Sequence, residues 1–407
     1  MDDLELLSPV GDFERLKEAI HFKCDAVYLA GKQFGLRSFA GNFDEKEMKE
    51  ALLFAHKNNI KVYVTVNVLA HNSDFAGMLE YLKFLESIKV DGVIVSDLGI
   101  ASLVTNYTSI PLHVSTQANV TNIYSAKEWV KLGAKRLVLA RELSLKEIKE
   151  IKDALPGDIE IECFVHGAMC ISYSGRCLLS NYFTGRDSNK GSCAQPCRWN
   201  YALSVKDDND STNFYPIEED SKGTYILNSK DLCLIEHLKE LKEAGITSLK
   251  IEGRMKSPYY VATVTNAYRR ALNDLNNNRL PSFNYIEELK KTSNRAFTTG
   301  FYFESDSKTN IETSKLSQTY QYLAVVIENS NNGYVLVEHR NKFKIGDQIE
   351  ILSNDDNFDK SFVIKEILDL DENPITEVKK IKQKVYIKCP YHLQKYDILR
   401  SRIINEN

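Results

Sequence analysis

Four thiols share one polar, glycine-dotted loop. Cys170, Cys177, Cys193 and Cys197 lie inside the run ECFVHGAMCISYSGRCLLSNYFTGRDSNKGSCAQPCRW, from Glu162 to Trp199, with six, fifteen and three residues between successive members. Structural cysteines are usually buried singly in apolar elements, the default expected for Cys24, Cys163, Cys233 and Cys389. Four on one polar loop instead offer a set of soft metal ligands. Small zinc modules pair their cysteines as C-x2-C knuckles, often with companion histidines, and this spacing has neither. Thiolates at varied spacing are the usual holders of iron–sulfur clusters, so a four-iron cluster is favoured. Zinc, a disulfide and a nucleophilic cysteine are the alternatives. His166 lies four residues before Cys170, which suggests a Cys–His pair, but such a pair needs a third group to orient the imidazole, and four thiols would compete for a metal.

The elements that must position this loop follow from periodicity. Short apolar runs alternate with amphipathic ones: strands are expected at 4–7, 26–29, 62–67, 92–95, 112–115, 136–139, 159–164 and 248–251. Helices are expected at 13–21, 44–58, 74–88, 98–107, 123–132, 144–154, 232–244 and 258–276. Eight strand–helix units with strands apolar on both faces predict a TIM-type (β/α)8 barrel over an open doubly wound sheet. No GxGxxG follows the first strand, which weakens the dinucleotide-fold alternative. The cysteine loop then connects the seventh strand to its helix. It lies on the face where such barrels place their chemistry, and its length far exceeds the usual connection.

That topology brings polar strand-end residues to one mouth: Asn67, Gln117, Asn119, Arg141, His166, Glu252 and Arg254. Each taken singly reads as a rim hydrogen bond. Together they predict a polar pocket facing the cysteines. A small dianionic substrate needs fixed guanidinium forks. Arg254, Arg141 and Arg37 are the candidates, the last in a Gly-rich loop after the second strand. The tract DDNDSTN reads as an exposed hairpin or loop, and RAFTTGFYF as a cover for the barrel end or a bridge to the next domain. From about residue 321 the period becomes short and alternating, as in a small β-barrel. The expected domains are 1–305, carrying the cysteine loop at about 163–230, and 318–403. Lys379, Lys380, Lys382 and Lys384 form the clearest basic run and could contact RNA, although lysines protecting a strand edge would look the same.

The loop residues Glu162, Phe164, Gly167, Ala168, Met169, Cys170, Gly175, Cys177 and Ser180, with GSCAQPCRW, KIEGRMKSPYY and ELLSPVGD, resemble the U32 family, long labelled collagenase-like peptidases. The resemblance covers nearly the whole chain. It is to the bacterial branch that hydroxylates the wobble uridine, U34, of tRNA to 5-hydroxyuridine with prephenate. It implies that Cys170, Cys177, Cys193 and Cys197 hold a [4Fe–4S] cluster, that prephenate is the co-substrate and that tRNA is the partner. A homo-oligomer, or a hetero-oligomer with a paralogue, is left open. A peptidase and the related quinone-hydroxylating branch are the rival readings, and the GSC-x3-C spacing fits the tRNA branch better.

Composition limits the partners. Lys and Arg total 52 against 56 Asp and Glu, a formal charge of −4, so any RNA contact must use a local patch. The chain starts with acids and shows no signal-peptide pattern or apolar run of membrane-spanning length, which predicts a cytoplasmic protein without membrane contact. No HExxH or GxSxG is present, so peptidase chemistry has little to stand on.

Overall fold

The computed structural model describes residues 4–35, 41–170, 172–199, 229–303 and 316–403, with the backbone of the paired strands Ser204–Lys206 and Phe214–Pro216. Arg37 and the tract 207–213 lie outside the described residues.

Eight parallel strands close on themselves. They are β1 (Glu5–Pro9), β2 (Ala26–Leu29), β3 (Lys61–Val66), β4 (Gly92–Val95), β5 (Leu112–Val114), β6 (Ala134–Val138), β7 (Glu160–Ala168) and β8 (Ser248–Ile251). Each pairs with the next, and β8 pairs with both β7 and β1. The helices that return between barrel strands or close the barrel are α1 (Phe13–His21), α2 (Glu45–Lys57), α3 (Met78–Ser87), α4 (Leu98–Tyr107), α5 (Ile123–Lys131), α6 (Leu145–Asp153), α7 (Leu238–Glu243) and α8 (Pro258–Asn276); short helices also occur at Leu179–Thr184, in the cysteine loop, and Tyr285–Leu289. The expected TIM-type barrel is the observed one. Short polar side chains start the helices at the mouth: Asp12, Asp44, Asp97, Asn122, Ser144 and Ser257 each accept from a backbone N–H in the first turn. Such caps satisfy donors that a helix cannot pair internally.

One expected helix is a correction. Leu232 and Cys233, anticipated as the start of a helix over 232–244, belong instead to a strand, Asp231–Cys233, and α7 begins only at Leu238. The strand pairs antiparallel with the end of β7, Asp231 opposite Ala168 and Cys233 opposite His166. Tertiary pairing therefore overrides a locally helical pattern. Phe297–Thr298, from the aromatic tract, extends the same sheet, and Tyr302 donates through its hydroxyl to the Phe164 carbonyl at 2.9 Å.

The lower barrel interior is ionic rather than oily. Arg136 of β6 is 2% exposed and contacts Glu5 at 2.6 Å, Glu160 at 2.6 Å and Glu162 at 3.0 Å. Lys250 of β8 binds the other oxygen of Glu162 at 2.6 Å. Tyr63 donates to Glu5 at 2.8 Å and lies under the Arg136 guanidinium. Mutual pairing is what allows these charges to leave water.

The C-terminal residues form an eight-stranded antiparallel sheet around its own apolar core, including Leu323, Val335, Val337, Ile349, Val385 and Leu399. In Tyr334–His339 burial alternates residue by residue, the mark of a sheet with one wet face. This domain docks on the barrel through Phe22, Tyr259 and Ala262 packed against Leu352 and Ile398. Beside that contact the fully buried Arg400 grips Glu288 with two bonds, 2.6 and 2.9 Å, and donates to Glu350 at 2.8 Å. Lys291 completes the cluster on Glu288, Glu350 and Asp359. No helix among the described residues is long and apolar enough to cross a membrane.

Removing one partner from a buried ionic network strands the others. Arg136→Ala should destabilise the folded chain by about 3–5 kcal/mol, read as a lowered urea midpoint with unchanged slope.

Candidate functional site

The upper half of the barrel holds a small cavity, about 70 Å³, lined by side chains from seven of the eight strand ends. Asn67 after β3, Gln117 after β5, Arg141 after β6, and Glu252 and Arg254 after β8 all line it, as the topology predicted. Tyr28, Thr65 and Phe164 form its walls, and Lys250 forms part of its floor. Lys250 was not singled out from sequence. It sits in the apolar run SLKI, and a lysine in a strand buried on both faces is the signal that could have found it.

Each polar residue is held by its neighbours. Arg254, 4% exposed, donates to Thr65 Oγ1 at 3.3 Å and to Asn42 Oδ1. Asn67 donates through Nδ2 to Ser115 Oγ at 3.3 Å. Arg141 donates to the Ala168 carbonyl at 3.0 Å and to Ser174 Oγ at 2.9 Å, and it stacks over Phe164. Its Nε is buried with no hydrogen-bond partner. Asn119, with a left-handed φ of 53°, donates to the carbonyls of Gln117 and Ser174 at 3.2 and 3.0 Å. It therefore braces the cysteine loop and lines an outer cleft with Tyr173 and Arg176, not the barrel cavity.

His166 is not at the mouth. Lys250 pairs with Phe164 and Ile251 with His166, so Val165 is an extra residue in β7. Such a bulge reverses the inward–outward alternation beyond it. The His166 ring packs outside the barrel against Tyr260 and Tyr268 of α8 and against Phe297. The displaced Val165 carbonyl accepts from Tyr268 Oη at 2.7 Å and from the Leu234 amide at 2.9 Å. Gly167 follows with φ of 106°, and a Cβ there would stand 2.6 Å from the Glu252 carbonyl. Burial lowers the His166 pKa to about 3, with Lys256 adding to the shift.

The cysteines lie over the same mouth. A second cavity, about 310 Å³, is lined by Cys170, Cys193, Cys197, Met169, Gln195 and by Arg141 and Glu252 of the first cavity. Burial pushes the Cys197 thiol up, the neighbouring Arg198 guanidinium pulls it back, and Cys170, Cys193 and Cys177 each push it further up. The other three sulfurs are therefore each within electrostatic reach of Cys197. Among the described residues, however, no three of them come within 4.8 Å of each other. The Gln195 amide donates to Cys193 Sγ at 3.4 Å. Arg198, Lys256 and Arg295 also line this cavity, and burial lowers the pKa of Lys256 and of Arg295.

Local hydrogen bonds shape the loop. Ser180 Oγ donates to the Arg186 carbonyl at 2.7 Å and accepts from the Ala194 amide at 2.9 Å. Ser188 Oγ and Asn189 Nδ2 both donate to the Cys177 carbonyl, at 2.7 and 3.2 Å. Gly175, φ 75°, passes so close to Gln117 that a Cβ would meet its Oε1 at 2.9 Å. The basic run lies elsewhere. Lys379, Lys380, Lys382 and Lys384 are exposed on the C-terminal domain, with Lys379 paired to Glu377.

Fold and site define a closed (β/α)8 barrel with a four-cysteine loop over its mouth and a C-terminal antiparallel domain. The chain belongs to the U32 family: residues 11–312 match the family described as Peptidase family U32, and residues 318–400 match its C-terminal domain. It is 40% identical to the tRNA hydroxylation protein P1 of Bacillus subtilis over 98% of this chain and 94% of that protein. It is 44% identical to the tRNA hydroxylation protein P of Helicobacter pylori over 74% of this chain and 72% of that one. It is 39% identical to the 23S rRNA 5-hydroxycytidine C2501 synthase of Escherichia coli over 66% of this chain and 39% of that protein.

The buried imidazole gives a pH test. Between its folded value of about 3 and the ordinary value near 6.5, the unfolded chain binds one proton more than the folded chain does at this site. This contribution to stability is present above about pH 6.5 and is lost progressively as pH falls towards 3, by about 1.4 kcal/mol per unit. His166→Gln should flatten the fall in unfolding free energy between about pH 6 and about pH 5 by that amount, as measured by urea titration. An unchanged slope would mean that the ring is already protonated in the folded chain.

Proposed function

We propose that this chain is an RNA-modifying hydroxylase, that it converts U34 of tRNA to 5-hydroxyuridine, and that prephenate is its co-substrate. The observation that carries this reading is that Arg141 and Glu252 line both the polar barrel cavity and the cavity over the cysteines. A small polar molecule held in the first cavity therefore lies next to whatever the thiols bind. The relatives named as tRNA and rRNA hydroxylating proteins support RNA as the substrate.

Cys170, Cys177, Cys193 and Cys197 would hold a [4Fe–4S] cluster. A single zinc ion at about 2.3 Å from each sulfur would draw the four to about 3.8 Å apart. The cationic lining and the amide bond to Cys193 Sγ suit the negative charge that thiolates bring. When bound, such a cluster supplies redox or Lewis-acid chemistry at the cavity wall.

The chain's own residues do the positioning. The Arg254 guanidinium, fixed by Thr65 and Asn42, and the Arg141 guanidinium, fixed by Ala168 and Ser174, present planar forks suited to carboxylates. Lys250 adds positive charge from the floor, though Glu162 offsets much of it. The amides of Asn67 and Gln117 can both donate and accept, as recognition of a carbonyl or hydroxyl requires. A cysteine peptidase finds no support, because the His166 ring packs behind the barrel wall among aromatic rings.

Protein purified without oxygen should carry about four iron and four acid-labile sulfide per chain, and Cys193→Ala should lose them. Zinc alone would remove the cluster. Deletion of the gene should abolish 5-hydroxyuridine in tRNA digests, and Arg254→Ala should lower it roughly ten- to a hundredfold at fixed prephenate, the effect of losing one charged fork. Wild-type levels in the variant would end the assignment of Arg254.

A further inference from the structure

Large apolar side chains left in water are normally scattered singly. Around the cysteine loop they gather. Tyr182 is 84% exposed and Leu178 70%, and Tyr173, Phe183 and Trp199 are exposed beside them. Leu69, in the loop after β3, and Leu98 and Tyr124, at the first turns of α4 and α5, are also exposed at the C-terminal ends of the barrel strands. None of these side chains was singled out by the sequence patterns.

The charge of the loop is opposite to that of the chain. Residues 169–199 hold four basic side chains, Arg176, Arg186, Lys190 and Arg198, against one acidic one, in a protein whose formal charge is −4. The single acid, Asp187, accepts from the Asn189 amide at 2.8 Å and serves the loop's own turn. Arg176 is exposed and lies between two clefts, one lined by Tyr173 and Asn119, the other by Leu98, Asn67 and Gln117. Aromatic faces interleaved with arginines are what an unpaired nucleic-acid strand requires, because every base offers a ring to stack and every phosphate a charge to pair.

Depth supplies the second argument. The cysteine cavity adjoins the barrel cavity through Arg141 and Glu252, and a base inside a duplex cannot reach a site between them without leaving the stack. When a base leaves, its neighbours lose their stacking partners and need replacements at the edge of the pocket. Tyr173 lines the cleft that Arg176 and Asn119 share beside the rim, and Tyr182 and Trp199 are exposed on the same loop.

We infer that the cysteine loop is a stacking platform for the unpaired nucleotides that flank the target base, and that this loop, rather than the lysine run of the C-terminal domain, makes the base-side contact with RNA. This inference rests on the proposal that the chain modifies RNA, and it specifies an unpaired RNA loop as the form that is bound. Tyr182 and Trp199 contribute stacking faces and Arg176 pairs with phosphate. The C-terminal lysines are left with at most a diffuse electrostatic role.

The test uses the full-length protein, purified without oxygen, and fluorescence anisotropy with two probes: a stem-loop RNA carrying a seven-nucleotide uridine-containing loop, and a blunt duplex of the same stem. Wild type should prefer the stem-loop. Tyr182→Ala with Trp199→Ala should weaken stem-loop binding by about tenfold or more, given the usual worth of one stacked base, and leave duplex binding unchanged. Tyr182→Phe should bind as wild type does, whereas Tyr182→Leu, which keeps apolar bulk but no ring, should bind as weakly as Tyr182→Ala. Iron content and circular dichroism should match wild type in all of them. Lys380→Ala with Lys382→Ala should cost less than about threefold.

Normal stem-loop binding by the ring variants, or a large loss confined to the lysine variant, would overturn the platform and leave the proposed function standing. Full binding by Tyr182→Leu would turn the patch into an apolar docking face for protein and overturn it too. If wild type bound neither probe and tRNA nucleosides were unchanged on deletion, both proposals would fall together.

Discussion

The guanidinium of Arg141 joins the two halves of the site. It leaves the end of β6, lies over the Phe164 ring, and donates to the Ala168 carbonyl and Ser174 Oγ on either side of Cys170. Together with Asn119, which donates to the Ser174 carbonyl, that clamp sets the height of the cysteine loop above the barrel. With it, one side chain forms wall to both the polar cavity and the cysteine cavity. Charge-assisted bonds of this kind hold geometry more firmly than neutral ones, and their donor set is rigid because the guanidinium is planar.

Beneath the site, the barrel has solved a packing problem with charge. Eight strand ends enclose more volume than their own small residues fill, and Arg136, Lys250, Glu5 and Glu162 occupy the lower interior as a paired network. Lys250 is both part of that network and the floor of the cavity, so the ionic layer sets the depth at which a ligand must stop. The same device appears between the domains, where Arg400 with Glu288, Glu350 and Lys291 anchors the C-terminal sheet beside an apolar contact. The three acids of that cluster lie close enough for a metal, but two cations already satisfy them.

Chemistry near an open mouth must also manage water. The barrel cavity is closed below by ion pairs and above by a loop that Asn119, Arg141 and Gly175 hold against the rim. A substrate seated there exchanges water for fixed dipoles, the condition under which oriented donors act most strongly. The cationic side chains Arg198, Lys256 and Arg295 around the cysteines make the upper cavity a place where negative charge is favoured.

Much of this was legible in the sequence. The boundaries of α1, α4 and α8 and the eight-strand count follow from periodicity and caps, because these segments depend on local pattern. The mouth residues Asn67, Gln117, Arg141, Glu252 and Arg254 follow from topology, since a closed parallel barrel sends every strand end to one face. Tertiary structure decided the rest. An extra residue at Val165 turned His166 out of the site, a change that depends on register against β8. The strand Asp231–Cys233 formed only because β7 offered an unpaired edge. Lys250 became a floor because Glu162 stands across from it. The exposure of Tyr173, Tyr182 and Trp199 on the loop was invisible in the sequence, because no periodic pattern there says which rings the barrel leaves in water. Periodicity encodes which face of an element is buried; it does not encode what the opposite wall brings to meet it.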